Sequence, residues 1–216
     1  MKRSLLAFVL LVASLAISNA ATEQEVVNRS AAILRRFRAM PESRIPDAVL
    51  RNAQGLAVMT VVKAGFVFSG QGGQGVVVAR TGEGWSGPSF IGTGGVGWGL
   101  QIGAQITEFV FVLNTRDAVR AFSRSGNVTL GGDISAAAGP VGRDLQAGVL
   151  PTAAVYTYSR AEGLFAGVSL EGRVIATQKT ANERYYGGPV TASQILSGQM
   201  PAPGRAARLR AALRGY

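Results

Sequence analysis

The chain contains neither cysteine nor histidine. Without cysteine no disulfide staples the fold in any compartment, so stability has to come from core packing. Without either residue, Ser-His-Asp and Cys-His nucleophile systems are excluded, and zinc loses its two preferred ligand types. Acids are scarce as well: 12 Asp and Glu stand against 22 Lys and Arg, a formal charge of +10. No Walker A sequence occurs. A run of helix-spanning length is missing too. The apolar stretch from Leu5 to Ile17 has thirteen residues, short of the ~20 that cross a bilayer as a helix.

That stretch has the marks of a signal peptide. Lys2 and Arg3 precede it, and Ser18 and Ala20 supply small residues at the −3 and −1 positions of a cleavage site. Residues 1–20 are therefore expected to be removed; the alternative is an uncleaved anchor. No cysteine follows, which excludes lipoprotein-type acylation. The expected location is the periplasm or cell envelope, peripheral to a membrane. The remaining 196 residues suffice for one domain. They keep 20 Lys and Arg against 12 acids, a net +8, and their lysines are Lys63 and Lys179. Such a balance points to an anionic partner, an acidic polymer or a membrane surface. For an exported protein, nucleic acid is not expected.

Residues 24–40 read as an amphipathic helix, with Val26, Val27, Ile33, Leu34, Phe37 and Met40 on one face and Pro41 as its stop. A short helix is expected from Pro46 to Ala53. From Gly55 the texture turns to β: GLAVMTVV, GFVFS and GVVVAR are short runs separated by Gly and Gln. Val96 to Thr107 alternates strictly, which predicts a packed face of Val96, Trp98, Leu100, Ile102, Ala104 and Ile106 opposite a Gly-rich one. Glu108 to Leu113 continues it or follows a bend. Thr115 caps a helix through Phe122, and Thr191 to Gln194 has capping-box form. Strands are expected at 153–159, 164–170 and 173–177. The end from Pro201 reads as a basic tail with Arg205, Arg208, Arg210 and Arg214. Ala57–Gly65 and Ala154–Gly163 echo each other, both in the form of a hairpin with a basic residue at its turn.

The expected fold class is α+β: a curved, mostly antiparallel Gly-rich β-sheet or barrel with short flanking helices at both ends. The expected organisation is a signal peptide at 1–20, one domain at 21–200 and the tail at 201–216.

Gly70 to Gly75, GQGGQG, matches the dinucleotide fingerprint by letter, but a strand follows it where the fingerprint needs a helix N-terminus. It reads as a loop between strands. Asp133 and Asp144 form either a carboxylate pair or ordinary turn supports, Asp144 beside Arg143. A Ser-Lys dyad has no support around Lys63 or Lys179. No catalytic residue, metal site or cofactor is expected. The basic helix has two placements: docked on the sheet by its apolar face, or lying in a membrane interface with its arginines on head groups.

In order along the chain stand Ile45-Pro46, Ala53-Gln54-Gly55-Leu56-Ala57, Lys63-Ala64-Gly65-Phe66, Ser69-Gly70, Gly75-Val76-Val77 with Arg80, and Gly84-Trp85-Ser86-Gly87-Pro88. Then come Gly99 to Gly103, Ala138 to Arg143, Tyr158-Ser159, Gly163-Leu164, Tyr186-Gly187 and Ile195-Leu196. This series resembles the SYLF family over residues 45–197. The resemblance implies binding of acidic phospholipids, phosphoinositides in particular, through basic residues and an amphipathic N-terminal segment, with actin as a further partner of some eukaryotic members. On this reading the lipid-binding residues are Arg29, Arg35, Arg36, Arg38, Lys63 and Arg80. The anionic lipid class carries over better than the particular head group, since an exported protein meets neither actin nor, normally, phosphoinositides. An unspecified protein partner is the competing expectation.

Overall fold

Two long strands make the frame. β1 (Gly55–Thr81) pairs antiparallel with β3 (Ser89–Leu113), from Gly55 opposite Leu113 to Val77 opposite Ser89. Between them β2 (Gly84–Trp85) pairs back onto Arg80 and Thr81. The far edge of β3 carries β6 (Val155–Gly163) along residues 105–113 and β7 (Val174–Thr177) along residues 91–93. β5 (Ala136–Ala138) adds in parallel to β6, and β4 (Asn127–Thr129) lies antiparallel on β7. The result is the expected α+β fold with a curved, mostly antiparallel sheet. This computed structural model describes residues 21–40, 45–124, 126–140, 153–163 and 174–216, with backbone alone at 65–69, 96–102 and 162–163. The expected signal peptide, Pro41, Arg143, Asp144, the strand at 164–170 and the side chains of Trp98, Leu100 and Ile102 lie outside those residues.

The sheet is curled so tightly that β1 returns alongside itself. The Arg80 N–H donates to the Gln54 carbonyl at 2.8 Å, joining the two ends of the strand. A Cβ on Gly75 would stand 2.1 Å from the Val58 carbonyl oxygen and 2.8 Å from the Met59 Cα. Only glycine lets the two backbone stretches pass so closely. This corrects the expectation of short strands separated by turns. GQGGQG is no loop: Gly70 to Gly75 pairs residue by residue with Val96 to Ile91 inside a continuous strand. Neither Lys63 nor Arg160 sits at a hairpin turn, because the echoing segments are strands on opposite edges of β3.

Because β1 passes twice, alternate residues feed two cores. Leu56, Val58, Val76 and Val78 join Phe90, Val110, Val112, Tyr156 and Tyr158 on one face. Ala57, Met59, Val61, Val77 and Ala79 join Ile91, Phe109, Phe111 and Leu113 on the other. Helix α1 (Glu23–Ala39) covers the first face with Val27, Ile33, Leu34 and Phe37, each at most 1% exposed. Thr22 and Glu25 close its N-terminus as a capping box. α2 (Asp47–Asn52) follows, with Pro46 as its N-cap. α3 (Arg116–Ser123) sets Ala118 and Phe122 into the second core, and its cap is Thr115, whose hydroxyl accepts from the Ala118 N–H at 3.1 Å. α4 (Lys179–Tyr186), a helix the sequence reading lacks, ends on Gly187 in the left-handed region and buries Tyr185 against Phe90. α5 (Ala192–Leu196) has the expected capping box.

One stretch of the alternation is inverted. At the C-terminal end of the 96–107 segment Ala104 and Ile106 are exposed, whereas Gln105 and Thr107 are 1% and 2% exposed. The expected apolar packed face therefore does not hold there. The physical reason is reach: α1 covers this sheet face only as far as Glu108, which Arg36 of its last turns grips. Beyond that row the outer positions have no helix over them among the described residues.

Gly75→Ala is expected to cost about 3 kcal/mol or more through overlap with backbone. For a domain of this size that lowers Tm by roughly 6–12 °C. Gly70→Ala, where nothing lies within 4 Å, should change stability by less than about 1 kcal/mol. A thermal melt with Gly75→Ala unchanged would contradict the close crossing.

Candidate functional site

Several residues that carry the sequence resemblance are fastened into the fold. Ser86 Oγ accepts from the Ala79 N–H at 3.0 Å and donates to the Gly87 carbonyl at 2.9 Å. Gly87 leaves room for the Tyr186 hydroxyl, which donates to the Pro88 carbonyl at 3.1 Å. Gly139 lies under the Tyr158 ring, whose hydroxyl donates to the Pro140 carbonyl at 3.2 Å. Burial pushes the Tyr158 and Tyr186 phenols well above their ordinary range, so both stay neutral donors. Asp133 is a turn support: its Oδ2 accepts from the Thr129 N–H at 2.7 Å. Among the described residues no group of three or more metal-ligating side chains gathers.

The six expected lipid-binding residues do not converge on one spot. Arg29 and Arg35 are exposed on α1. Arg36, two turns beyond Arg29 on the same flank, is bidentate to Glu108, with Nε 3.1 Å from Oε2 and Nη2 on Oε1. Arg160 approaches the same carboxylate at 3.6 Å. Arg38 leaves α1 on the other flank, against Gly215, beside a depression it shares with Ile45, Asp47, Leu50 and Tyr216. Arg80 stacks on Trp85 at 4.3 Å and donates to the Tyr216 carbonyl. Lys63 is half-buried on β1, opposite Gln105.

The apolar face of α1 is spent on the core, which decides between the two placements of that helix. Each fully buried Val, Leu, Ile or Phe side chain is worth about 1.5–3 kcal/mol. Lifting Val27, Ile33, Leu34 and Phe37 into lipid would exchange one apolar setting for another and bare Leu56, Val58, Val110 and Val112 beneath. The helix is docked. The segment beyond Pro201 is likewise no loose tail, which corrects that expectation. Gly204–Ala206 forms a 3₁₀ turn leading into α6 (Ala207–Leu213), which buries Leu209 and Leu213 in the core cluster that α1 shares. Arg205 stacks on Tyr185 at 4.2 Å, and the Tyr216 hydroxyl donates to the Leu34 carbonyl at 2.5 Å.

What the sequence reading missed lies just past Glu108. Val62 and Ile106 are cross-strand partners, 44% and 47% exposed, and the next pair along, Ala64 and Ala104, is exposed as well. Ile106 is two residues from Glu108 on the same face, about 7 Å along the strand. An apolar ladder therefore adjoins two partly exposed guanidiniums, Arg36 and Arg160, around one carboxylate. On the inner face behind it, both amide atoms of Gln105 and the Thr107 hydroxyl are buried without a hydrogen-bond partner among the described residues. One signal for this site was legible: Glu108 is the sole acid between Glu83 and Asp117, in a stretch of β texture.

Residues 94–216 match the Ysc84 family, described as Las17-binding protein actin regulator. An SH3 domain-containing protein of Schizosaccharomyces pombe is 52% identical over 167 residues, 75% of this chain and 39% of that protein. LAS seventeen-binding protein 3 of Saccharomyces cerevisiae is 50% identical over 164 residues, 74% of this chain and 36% of its own length. The human SH3 domain-containing YSC84-like protein 1 is 45% identical over 186 residues, 82% and 54% of the two chains. The chain thus spans roughly a third to a half of the curated relatives it matches.

Because α6 belongs to the core, Leu213→Ala should cost about 2–5 kcal/mol. Truncation at Pro201 should abolish cooperative unfolding. Circular-dichroism melts check both; a truncated chain that melts like the full one would show that α6 is an ornament.

Proposed function

Because the chain belongs to the Ysc84 family, whose SYLF domain its sequence resembles, we propose that it is a non-catalytic binding protein that docks peripherally on anionic phospholipid. The observation that carries this reading is the pairing of exposed arginines with an exposed apolar ladder. Arg36 and Arg160 around Glu108 stand next to Val62 and Ile106, and Arg29 and Arg35 are exposed on the same helix as Arg36. Excess positive charge draws the protein to an acidic surface, and each Lys or Arg near such a surface is worth about 1 kcal/mol. No helix among the described residues is long and apolar enough to cross a membrane, which agrees with docking through this surface. The N-terminal stretch with Lys2, Arg3 and the Leu5–Ile17 run supports export, which would put the lipid in the cell envelope.

A second reading, a protein-interaction module, is favoured by the relatives, one of which is named for binding LAS seventeen. The two readings part in their response to lipid charge. A lipid binder follows the anionic fraction of the vesicle and weakens with salt, as the Debye length falls from roughly 10 Å at 0.1 M to 3 Å at 1 M. A module built for a protein ignores both.

In co-sedimentation, the protein should bind vesicles containing phosphatidylglycerol or cardiolipin and bind neutral phosphatidylcholine poorly. Arg29→Glu with Arg35→Glu should weaken anionic binding by about 2 kcal/mol, roughly 30-fold. Glu108→Gln should do the opposite, strengthening binding by freeing Arg36 and Arg160. It should also lower stability by about 1–2 kcal/mol, since both guanidiniums lose a charged acceptor. Equal binding to neutral and anionic vesicles, or none to either, would sink the lipid reading and favour the protein-interaction module.

A further inference from the structure

Inside the curl, three stretches of strand turn from apolar to polar at one level. On the outgoing half of β1 the inward residues run Ala57, Met59, Val61 and then Lys63, which is half-buried. On β3 they run Phe111, Phe109 and then Thr107 and Gln105, 2% and 1% exposed. On the returning half of β1 they run Val77, Gly75, Gly73 and then Gln71. A Cβ on Gly75 would meet Met59, and one on Gly73 would meet the Val61 side chain at 2.8 Å. The next inward residue, Gln71, therefore falls level with Lys63, whose cross-strand partner is Gln105. Both amide atoms of Gln105, the Thr107 hydroxyl and Gln71 Nε2 are buried without a hydrogen-bond partner among the described residues. An unpaired buried polar group destabilises a fold, and four such atoms in one layer call for partners from outside the chain. The register partners of Gln71 and Gln105 are Gly95, which is exposed, and Gly163. Neither puts a side chain over the layer.

We infer that this layer is a ligand site inside the curl and that it takes a small polyol phosphate. The donor set selects the class. Gln71 Nε2, Gln105 Nε2, the Thr107 hydroxyl and the Lys63 ammonium, which has three N–H groups, all donate. Gln105 Oε1 and Thr107 Oγ accept. The ligand must therefore be rich in acceptor oxygens and also carry O–H groups of its own. The donors come from three strand passes, a spread that a tetrahedral phosphate meets better than a planar carboxylate. Charge agrees: among the described residues of β1, β3 and β6 no acid lies at an inward position. Glu108 faces outward to Arg36 of α1, and Glu162 is the register partner of the exposed Ile106. The Gln105 amide holds a donor and an acceptor side by side, which suits a pair of neighbouring hydroxyls. The inference goes beyond the lipid-binding reading and does not rest on it, since a polyol phosphate reaches the layer either free in solution or as a lipid head group.

Glutamine side-chain amides give their own nitrogen–proton NMR signals, so the layer can be watched directly. The full chain is titrated with glycerol 3-phosphate, with inorganic phosphate, with glycerol, and with dihexanoyl phosphatidylglycerol below its micelle concentration. Glycerol 3-phosphate or the short lipid should move the Gln71 and Gln105 side-chain signals saturably; the one that does so at lower concentration names the source. Inorganic phosphate and glycerol should each bind more weakly. No movement with either polyol phosphate would overturn the inference, and so would equal binding of inorganic phosphate. Thr107→Val and Gln105→Leu separate a ligand site from a merely structural layer. Each should lose about tenfold or more in affinity, yet raise Tm by roughly 2–4 °C as an unpaired buried polar group goes. A lowered Tm in both, with no ligand response in the parent chain, would show that ordered water alone fills the layer and would overturn the site. Co-sedimentation of Thr107→Val with anionic vesicles keeps the two readings apart. Unchanged vesicle binding beside a lost titration supports a site separate from the docking surface. Vesicle binding with no titration in the parent chain overturns the site alone and leaves the lipid reading standing.

Discussion

The crossing of β1 over itself at Gly75 and Val58 is the constraint on which the rest depends. A single strand of 27 residues cannot lie flat in a domain of this size. It bends until Arg80 bonds Gln54, and the backbones meet where a Cβ would be 2.1 Å from a carbonyl oxygen. With both halves of β1 side by side, its even residues line one core and its odd residues the other. Each core then needs a cover. α1, α4 and α6 contribute to the first, and α3 and α5 to the second. Among the described residues, neither cover reaches Val62, Ala64, Ala104 or Ile106.

How much of this was legible depended on whether a signal was local. α1 declared itself through Val26, Val27, Ile33, Leu34 and Phe37, and the caps at Thr115 and Thr191 through their own side chains. The period-two texture gave the α+β class. The extent of β1 was not legible, because glycines that usually mark turns here mark a close approach, and nothing in Gly70 to Gly75 distinguishes the two. α4 and α6 went unread for another reason. Their faces are narrow, and Leu209 and Leu213 at i and i+4 were masked by the arginines around them.

For the site, the arginines were legible and their arrangement was not. Charge is read from composition; which guanidinium is already engaged depends on strands far apart in sequence. Arg36 and Glu108 are 72 residues apart, and Arg80 is held by Trp85 and the Tyr216 carbonyl. The structure divides the expected set into arginines engaged within the fold, such as Arg36 and Arg80, and arginines exposed on α1, Arg29 and Arg35. It also reverses the roles of the two apolar surfaces. The amphipathic helix that looked like a membrane element belongs to the core, and the strand pair that looked like core is open at Val62 and Ile106.

Hydrogen exchange with and without anionic vesicles tests that reversal most directly. Exchange protection reports local opening segment by segment, so both elements are read in one experiment. The account predicts added protection confined to the ribbon around Val62–Ala64 and Ala104–Ile106, with the amides of α1 unchanged. Slowed exchange or a loss of protection in α1, with the ribbon indifferent to lipid, would contradict it.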